Sequence, residues 1–196
     1  MTNRLLRVGG NNLKSLVIGA TGKIGGAVSE ALGGRHEVVR ASRSRSALSV
    51  DLAEPDSIRA LYAEVGRVDA VVCAAGRGAF GPLLALTDAE LAFSLSNKIM
   101  GQVNLVRFGV EAVANGGSFT LTSGRLSRHP VPGGAAISMA NAALEGFVRA
   151  AALELPRGIR INVVAPGPVR EPVPAEVAQT YLDAVEGIVT GQVLDR

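Results

Sequence analysis

The sequence predicts an α/β domain in which a single parallel sheet is covered by helices on both faces. Short apolar runs alternate with segments of helical spacing along the chain, and the first run passes directly into a glycine-rich turn. Strands that are apolar at nearly every position are typical of parallel sheets buried on both sides. Apolar residues make up 47% of the 196 residues and aromatic residues only 4%, so small aliphatic side chains must build the core. Residues 1–196 are therefore expected to form one domain.

The first half of the chain predicts three strands and two helices. The strand SLVIGA, Ser15–Ala20, is followed by GKIGGAVSEALGG, where apolar residues recur at helical spacing. HEVVRAS is the second predicted strand, EPDSIRALYAEVG the second helix and VDAVVCAAG the third strand. Pro55 in the first turn and Gly66 after the end mark the limits of the second helix. Residues 1–14 are interpreted as a short leader before the first strand.

The second half predicts two long helices, each followed by a strand. Thr87 and Glu90 have the spacing of a capping box, which predicts a helix over Asp88–Asn115. GSFTLTSG is the next strand, Ala135–Leu155 the next helix and IRINVVAPG the last strand. Right-handed crossovers between parallel strands then produce a doubly wound, Rossmann-type sheet. Ligands of such sheets bind beyond the carboxyl ends of the strands, so functional residues are expected there.

Composition and charge exclude several classes of protein. The formal charge is +3, from 20 basic and 17 acidic residues spread along the chain, which argues against a nucleic-acid-binding surface. The single cysteine, Cys73, allows no internal disulfide and suits a reducing compartment. No apolar run approaches the roughly 20 residues of a membrane helix, and the N-terminus lacks the apolar core of a secretion signal. We expect a cytoplasmic protein without a membrane partner, and no metal site is predicted.

A glycine-rich loop follows the first strand in VIGATGKIGGAV. Glycines in this position let the chain turn tightly and let a pyrophosphate approach the N-terminus of the next helix, whose dipole favours an anion. A plain tight turn is the alternative interpretation. The position in the first strand–helix unit favours a dinucleotide site. Its predicted contacts are Gly19, Thr21, Gly22, Lys23, Ile24 and Gly25.

The end of the second strand predicts which nucleotide is bound. An NAD site typically has an acidic residue there for the ribose hydroxyls, whereas VVRASRSRS places Ser42 and Arg43 at this point. A guanidinium pairs well with a phosphate and keeps its charge, so the pattern predicts a 2′-phosphate site and NADP(H) as the cofactor. Arg43 is the first choice of contact, ahead of Arg40 and Arg45. A solvated basic loop is the alternative.

Nearly the whole sequence resembles the short-chain dehydrogenase/reductase family, in particular a branch of short bacterial members. The motifs that carry the resemblance follow the family's order: the glycine loop, SVDLAEPDSI, CAAG, GSFTLTSG, NAALEGFVRAAALEL and IRINVVAPGPV. The resemblance implies an aspartate-containing turn that holds the adenine and a set of further contacts to the cofactor. The residues it adds to the predicted site are Asp51, Leu52, Ala74, Ala75, Gly76, Asn141, Pro166 and Gly167.

The resemblance also implies where catalysis should occur. Enzymes of this family use an asparagine, a serine, a tyrosine and a lysine, and the tyrosine exchanges a proton with the carbonyl or alcohol. Aligning NAAL on the family's Lys-Ala-Ala-Leu places Asn141 at the lysine and Ile137 at the tyrosine. Gly124 then falls at the serine and Lys98 at the asparagine. The usual alcohol–ketone mechanism is therefore not expected.

Three residues are candidates for catalysis in place of the usual tyrosine and lysine. Lys98 could donate a proton, hold a water or pair with an anionic substrate, or it could be an exposed helix lysine. Ser123 follows a strand, and whether its side chain faces the site stays open. His129 lies in RLSRHPVP, the loop that lines the substrate cleft in the family this chain resembles. It could act as an acid or a base, although a lone loop histidine is more often solvated.

The resemblance raises two expectations about structure around the site. The segment after Pro-Gly covers the substrate in the family, and here it is short, which predicts a shortened lid near residues 168–175, with Glu171 where the family has a threonine. The helices Asp88–Asn115 and Ala135–Leu155 correspond to the family's usual dimerisation faces. A homodimer or homotetramer is therefore expected, with Phe108 and Phe147 in the interface if they face outward.

Three functions remain open at this point. The first is an NADP(H)-dependent oxidoreductase with an unusual proton donor, or with a substrate such as a polarised double bond that depends less on a tyrosine. The second is a catalytically inactive NADP(H)-binding sensor or scaffold. The third is a non-redox enzyme on the same fold, since a fold by itself does not decide function.

Overall fold

The computed structural model describes residues 12–44, 46–168 and 173–195. Within these ranges, seven parallel strands form one sheet in the order β3-β2-β1-β4-β5-β6-β7. The order reverses between β1 and β4, which confirms the predicted doubly wound sheet and places its switch point beside the glycine loop. The strands are β1 (Lys14–Ile18), β2 (Glu37–Ser42), β3 (Leu48–Ser49), β4 (Val68–Cys73), β5 (Val113–Thr122), β6 (Arg160–Val164) and β7 (Val193–Leu194).

Helices cover both faces of the sheet, as predicted. They are α1 (Lys23–Gly33), α2 (Pro55–Val65), α3 (Asp88–Phe93), α4 (Gly101–Gly109), α5 (Ala135–Glu154) and α6 (Ala175–Glu186). A π-helical segment, Ser94–Met100, connects α3 to α4, and two 3₁₀ turns lie at Leu83–Ala85 and Arg125–Ser127. None of the helices in the described ranges is long and apolar enough to cross a membrane.

Two hydrophobic clusters lie on opposite faces of the sheet. One contains buried residues of α2, α4 and α5, and the other contains buried residues of α1 and α6. Neighbouring strand residues alternate between them: Leu16 and Val71 belong to the first cluster, whereas Val17 and Val72 belong to the second. Because the central strands β1 and β4 are buried on both faces, their sequences are mostly apolar rather than alternating.

The helix predicted over Asp88–Asn115 begins at Asp88, as expected, but the structure ends it at Gly109, before the predicted end. Its capping box is present, since Thr87 Oγ1 accepts from Glu90 N at 3.2 Å and Glu90 Oε2 accepts from Thr87 N at 2.9 Å. The helical segment ends at Gly109, where an added Cβ would overlap the Tyr62 hydroxyl. Arg157 then donates to the carbonyl of Val110, which satisfies a helix-end acceptor.

Residues 113–115 belong to β5 instead of the predicted helix. Val113 pairs with Val68, and the register shifts before Ala70 pairs with Ser118. Gly117 absorbs this irregularity, since a Cβ there would lie 2.5 Å from the carbonyl oxygen of Asp69. The predicted strand GSFTLTSG began at Gly117, whereas β5 begins at Val113 and contains both glycines.

Smaller corrections concern the edges of the predicted elements. The strand β1 begins at Lys14, one residue earlier than predicted, and residues 1–11 lie outside the described ranges. The strands β3 and β7 were not predicted because two residues carry no periodicity. Phe108 and Phe147 are half-buried against the protein's own core, and Arg59 stacks on Phe108 at 3.9 Å.

Candidate functional site

Two adjoining clefts lie at the carboxyl ends of the strands. They meet at the loop after β4, because both are lined by residues 74–76. The small cleft, of about 410 Å³, is lined by Ile18, Gly19, Thr21, Gly22, Ser42, Arg43, Ser44, Val50, Asp51, Leu52, Ala74, Ala75, Gly76, Arg77 and Asn97. The large cleft, of about 810 Å³, is lined by Ile24, Ala74, Ala75, Gly76, Lys98, Thr122, Ser123, Gly124, Arg125, Leu126, His129, Val131, Ile137, Asn141, Pro166, Gly167 and Pro168.

The glycine loop folds tightly against the start of α1. Gly19 has φ +81°, and a Cβ on Gly25 would overlap the carbonyl oxygen of Gly19. Gly22 donates to the Gly19 carbonyl at 2.9 Å and caps α1 without a side chain. The N-terminus of α1 therefore meets the clefts without an intervening side chain at its cap, as anion binding at a helix end requires.

The other predicted loop residues take different positions around this helix end. Thr21 lies at the small cleft and Ile24 at the large one. Lys23 is the exposed first residue of α1 and lines neither cleft. Gly25 is buried, and its lack of a side chain allows close packing of the loop against the helix.

The end of β2 presents a basic side chain to the small cleft. Ser42 is buried, with its hydroxyl 2.8 Å from Ser46 Oγ, while Arg43 is exposed and lines the cleft. No carboxylate of the described residues forms an ion pair with Arg43. Arg40 lines a separate cavity beside β3, and Arg45 lies outside the described ranges.

The predicted adenine turn closes the far side of the small cleft. Asp51 Oδ1 accepts from Ala53 N at 2.9 Å, and Asp51 N donates to Ser57 Oγ at 2.9 Å. Leu52 is buried against the start of α4, where a Cβ on Gly101 would lie 2.7 Å from Leu52 Cβ. The turn is therefore held rigidly by its own hydrogen bonds and by the helix behind it.

Lys98 is a buried amine in the wall of the large cleft. It is 5% exposed, and its Nζ lies 3.4 Å from the carbonyl oxygens of both Thr122 and Ser123. Burial lowers the pKa of Lys98 to about 8, because the charged form loses hydration. No carboxylate in the described part of the chain forms an ion pair with it. The exposed-lysine interpretation is therefore wrong.

The π-helical segment places Asn97 beside the other cleft. Asn97 Oδ1 accepts from Arg77 N at 2.7 Å and lines the small cleft, whereas Lys98 lines the large one. One extra residue in a helical turn changes the direction of the side chains that follow, and such segments are frequent at functional sites. Asn97 was not among the predicted site residues, since no sequence pattern marks a π turn.

The orientation of Ser123 is decided by a buried carboxylate. Ser123 Oγ donates to Glu145 Oε1 at 3.1 Å, and Ser127 Oγ donates to the same oxygen at 2.6 Å. The Ser123 hydroxyl proton is thus directed to Glu145 rather than into the large cleft. Glu145, which is buried on α5, was missed; its only signal is that it follows Asn141 by one helical turn.

Three residues that the sequence alignment predicts at the family's catalytic positions fit closely together. Asn141 is 2% exposed and its Oδ1 has no hydrogen-bond donor. A Cβ on Gly124 would lie 3.0 Å from Asn141 Nδ2, so a serine there would crowd the amide. Ile137 lines the large cleft, and a Cβ on Gly78 would lie 2.7 Å from its Cδ1. The centre of the cleft is therefore apolar at Ile137 and polar at Asn141.

Neither tyrosine of the chain reaches the clefts. Tyr181 OH lies 2.7 Å from Thr122 Oγ1, and Tyr62 OH donates to Leu105 O at 2.7 Å. Burial raises the pKa of both hydroxyls above the usual range of tyrosine. Cys73 is buried behind the loop after β4, and burial raises the pKa of its thiol to about 12. None of these three groups lines a cleft.

The outer rim of the large cleft carries two basic side chains. His129 and Arg125 are exposed, and His129 N donates to Arg125 O at 2.8 Å. The predicted contacts Pro166 and Gly167 lie beside them. The short lid was predicted near residues 168–175, of which 169–172, including Glu171, lie outside the described ranges.

Known structures share this fold over nearly the whole chain. The protein lin1944 of Listeria innocua is 41% identical, with a TM-score of 0.91, over 93% of this chain and 98% of that one. A small-chain dehydrogenase in complex with NADPH is 25% identical, with a TM-score of 0.85, over 95% of this chain and 97% of that one.

Several curated proteins of similar sequence are named reductases. Hydroxynaphthalene reductase arp2 of Aspergillus fumigatus is 33% identical over 74% of this chain and 56% of that protein. Versicolorin reductase 1 of Aspergillus parasiticus is 29% identical over 91% of this chain and 78% of that protein. The cyclic-di-GMP-binding biofilm dispersal mediator protein of Escherichia coli is 32% identical over 63% of this chain and 53% of that protein. The chain thus spans little more than half the length of two of these relatives.

The family model that matches has the description enoyl-(acyl carrier protein) reductase, and the match covers residues 27–194. It includes every strand after β1 and every helix after the first turn of α1. The match, the parallel seven-stranded sheet and the glycine loop at its switch point agree with one another. The chain belongs to the short-chain dehydrogenase/reductase family of oxidoreductases.

Proposed function

We propose that the protein is an NADP(H)-dependent reductase in which Lys98, rather than a tyrosine, holds the proton that the substrate receives. The observation that carries this proposal is the buried Lys98 amine in the wall of the large cleft, next to the loop shared with the small cleft. The substrate is a carbonyl compound or a polarised double bond. The atypical site distinguishes this proposal from the family's usual alcohol–ketone chemistry.

The residues present fit a dinucleotide with a 2′-phosphate. The N-terminus of α1 and Arg43 supply positive potential to the small cleft, as the pyrophosphate and the 2′-phosphate require. Asn141 Oδ1 is a buried acceptor without a donor, and a ribose hydroxyl is a donor of suitable chemistry. The NADPH-bound structure of a relative supports the same cofactor. NADPH, when bound, supplies a hydride to the substrate.

Lys98 has the properties of a proton donor at neutral pH. Its pKa of about 8 lies closer to neutrality than that of an ordinary lysine, and general acids work best when their pKa lies near the working pH. The carbonyls of Thr122 and Ser123 accept from its ammonium and hold it at the end of β5. Ile137, which the alignment places at the family's tyrosine position, lines the cleft and has no proton to give.

The first expected result concerns the choice of cofactor. Arg43→Ala should weaken NADPH binding by about 1–3 kcal/mol and leave NADH binding unchanged, because only NADPH carries the 2′-phosphate. Arg40→Ala is the matched control, since Arg40 is also exposed at β2 but lines a different cavity. Titrations followed by the fluorescence of the added NADPH or NADH measure the two affinities. Equal affinity of the unmodified protein for NADPH and NADH would contradict the assignment.

A non-catalytic NADP(H) sensor or scaffold is the second candidate, and Ile137 favours it. The side chain at the tyrosine position is apolar, and the nearby Ser123 hydroxyl is directed to Glu145. The two candidates are separated by titration with NADPH and NADP⁺ followed by a broad screen of carbonyl and enoyl compounds. Oxidation of NADPH with any of them supports the reductase, whereas tight binding without oxidation supports the sensor.

We also propose that the protein assembles through α4 and α5. Several small or apolar residues on α5 are exposed, including Leu153, which is 89% exposed, and Ala142, Ala143 and Ala150. A twofold axis along such a face would bury the same residues on both subunits. Light scattering at micromolar concentration is expected to give the mass of a dimer or tetramer, and Leu153→Arg should lower it. A monomeric unmodified protein would overturn this expectation.

A further inference from the structure

We propose that the large cleft takes a substrate with a carboxylate at one end of an apolar chain, and that Arg125 binds this carboxylate. The inference rests on the proposed function, because it takes the large cleft as the substrate site. It goes beyond that function by naming the class of substrate and the residue that selects it.

The charge of the cleft wall is one-sided. All ionisable residues that line the large cleft within the described ranges are basic, namely Lys98, Arg125 and His129. Neither aspartate nor glutamate lines it, and the nearby Glu145 accepts hydrogen bonds from Ser123 and Ser127. A wall of one sign attracts a ligand of the opposite sign and disfavours cations.

Arg125 is held at the rim with its charge unmatched by the described residues. Its backbone N donates to Pro166 O at 3.1 Å, and its side chain passes Gly167, where a Cβ would lie 3.4 Å from Arg125 Cδ. No carboxylate of the described residues pairs with it, whereas Arg128, three residues later, binds Asp195 at 2.7 Å. A guanidinium offers two parallel N–H donors, a geometry that a carboxylate matches.

The rest of the cleft suits an apolar chain. Leu126, Val131 and Ile137 line it together with prolines 166 and 168, and its volume of about 810 Å³ lies in the range of small-molecule sites. Arg125 is exposed at the rim, while Lys98 is buried in the wall. This arrangement separates an anion-binding end from the reacting end of the substrate. The carboxylate would stay near solvent while the reducible group approaches Lys98.

The test compares three probes of equal chain length, octanoate, octanamide and 1-octanol, by calorimetric titration of the protein saturated with NADP⁺. Octanoate is expected to bind about tenfold or more tightly than the two neutral probes, the size of one charged hydrogen-bonded pair. Arg125→Gln should remove this preference. Arg128→Gln and Arg67→Gln should keep it, since Arg128 pairs with Asp195 and Arg67 lies before β4, at the opposite end of the sheet. Unfolding temperatures establish that each variant is folded.

The outcomes separate this inference from its alternatives. Equal affinity for octanoate and octanamide, or no binding of any probe at millimolar concentration, would overturn it. A loss of NADPH affinity in Arg125→Gln with the octanoate preference intact would assign Arg125 to the cofactor's phosphates and also overturn it. Because the readout is heat of binding, the preference can persist when no NADPH oxidation is found; the reductase proposal then fails while the carboxylate site stands.

Discussion

Lys98→Met is expected to lower the turnover of any substrate found in the screen by about 10²–10⁴-fold, the usual contribution of a positioned general acid. Methionine keeps much of the side chain's volume and apolar contact but has no proton to give. NADPH should still bind, because the glycine loop and Arg43 are untouched. Lys14→Met is the matched control, since Lys14 Nζ donates to Val65 O at the opposite end of the sheet. The measurements are kcat from NADPH oxidation and the affinity for NADPH.

The pH profile distinguishes proton donation from a structural role of Lys98. The donor is the protonated form, and burial sets its pKa to about 8. The rate of reduction should therefore be constant below about pH 8 and fall above it. In the reverse direction the neutral amine is the acceptor, so that rate should rise across the same range. The sequence has only three lysines, so NMR of lysine labelled at Cε can follow the Lys98 titration directly.

His129→Gln is the companion variant for the same assay. His129 is exposed at the rim of the cleft, so its replacement should not change the fall of the reduction rate above about pH 8. If Lys98→Met keeps its rate and its pH profile while His129→Gln loses both, the donor is His129. Unchanged rates in both variants would point to a proton from the substrate or from solvent. Ordinary ketone reduction at family-like rates would contradict the placement of Ile137 and Asn141 at the tyrosine and lysine positions.

Gly25→Ala is expected to abolish NADPH binding and to destabilise the fold by about 1–3 kcal/mol or more, the usual cost of overpacking. The new Cβ would overlap the carbonyl oxygen of Gly19 and lie 2.6 Å from its carbonyl carbon. Both are backbone atoms, so the loop must move away from α1, and the anion site at the helix end is then lost.

Gly26→Ala is the matched control on the next residue of α1. Its Cβ would meet Ala20 O at 3.7 Å, an ordinary contact, and alanine is a better helix former than glycine by up to about 1 kcal/mol. This variant should bind NADPH normally and be as stable as the unmodified protein or more so. Urea unfolding and NADPH titration compare the two variants. Similar stability and affinity in both would show that the loop does not depend on close packing at Gly25.

The sequence predicted the fold because the five longer strands carry their signal locally. Nearly continuous apolar runs such as VDAVVCAAG identify strands buried on both faces, and the structure places neighbouring residues of these runs in opposite clusters. The capping box at Thr87 was equally local and correct. The end of the helix that it starts was not, because helical spacing continues past Gly109, while contact with Tyr62 and capping by Arg157 come from distant parts of the chain.

The candidate site was predictable to a similar extent. Most residues predicted from the glycine loop, from the end of β2 and from the family's motifs line the two clefts. These motifs follow strands directly, and the clefts lie at the ends of the strands. Asn97 and Glu145 were missed. Asn97 depends on a π turn without a sequence signal, and Glu145 contacts Ser123 only because α5 packs beside the end of β5.

By itself, the sequence determined the parallel sheet and the position of the glycine loop, and it predicted which residues lie at the family's catalytic positions, because these depend on residue type and spacing. Only the tertiary structure decided the chemistry of those positions. Lys98 on a helix could have been solvated, but the ends of β4 and β5 enclose its side chain and lower the pKa of its amine to about 8. Asn141 Oδ1 is left without a donor because Gly124 and the large cleft surround it. Burial and the geometry of partners are set by residues far apart in the chain, and those distances arise only when the chain is folded.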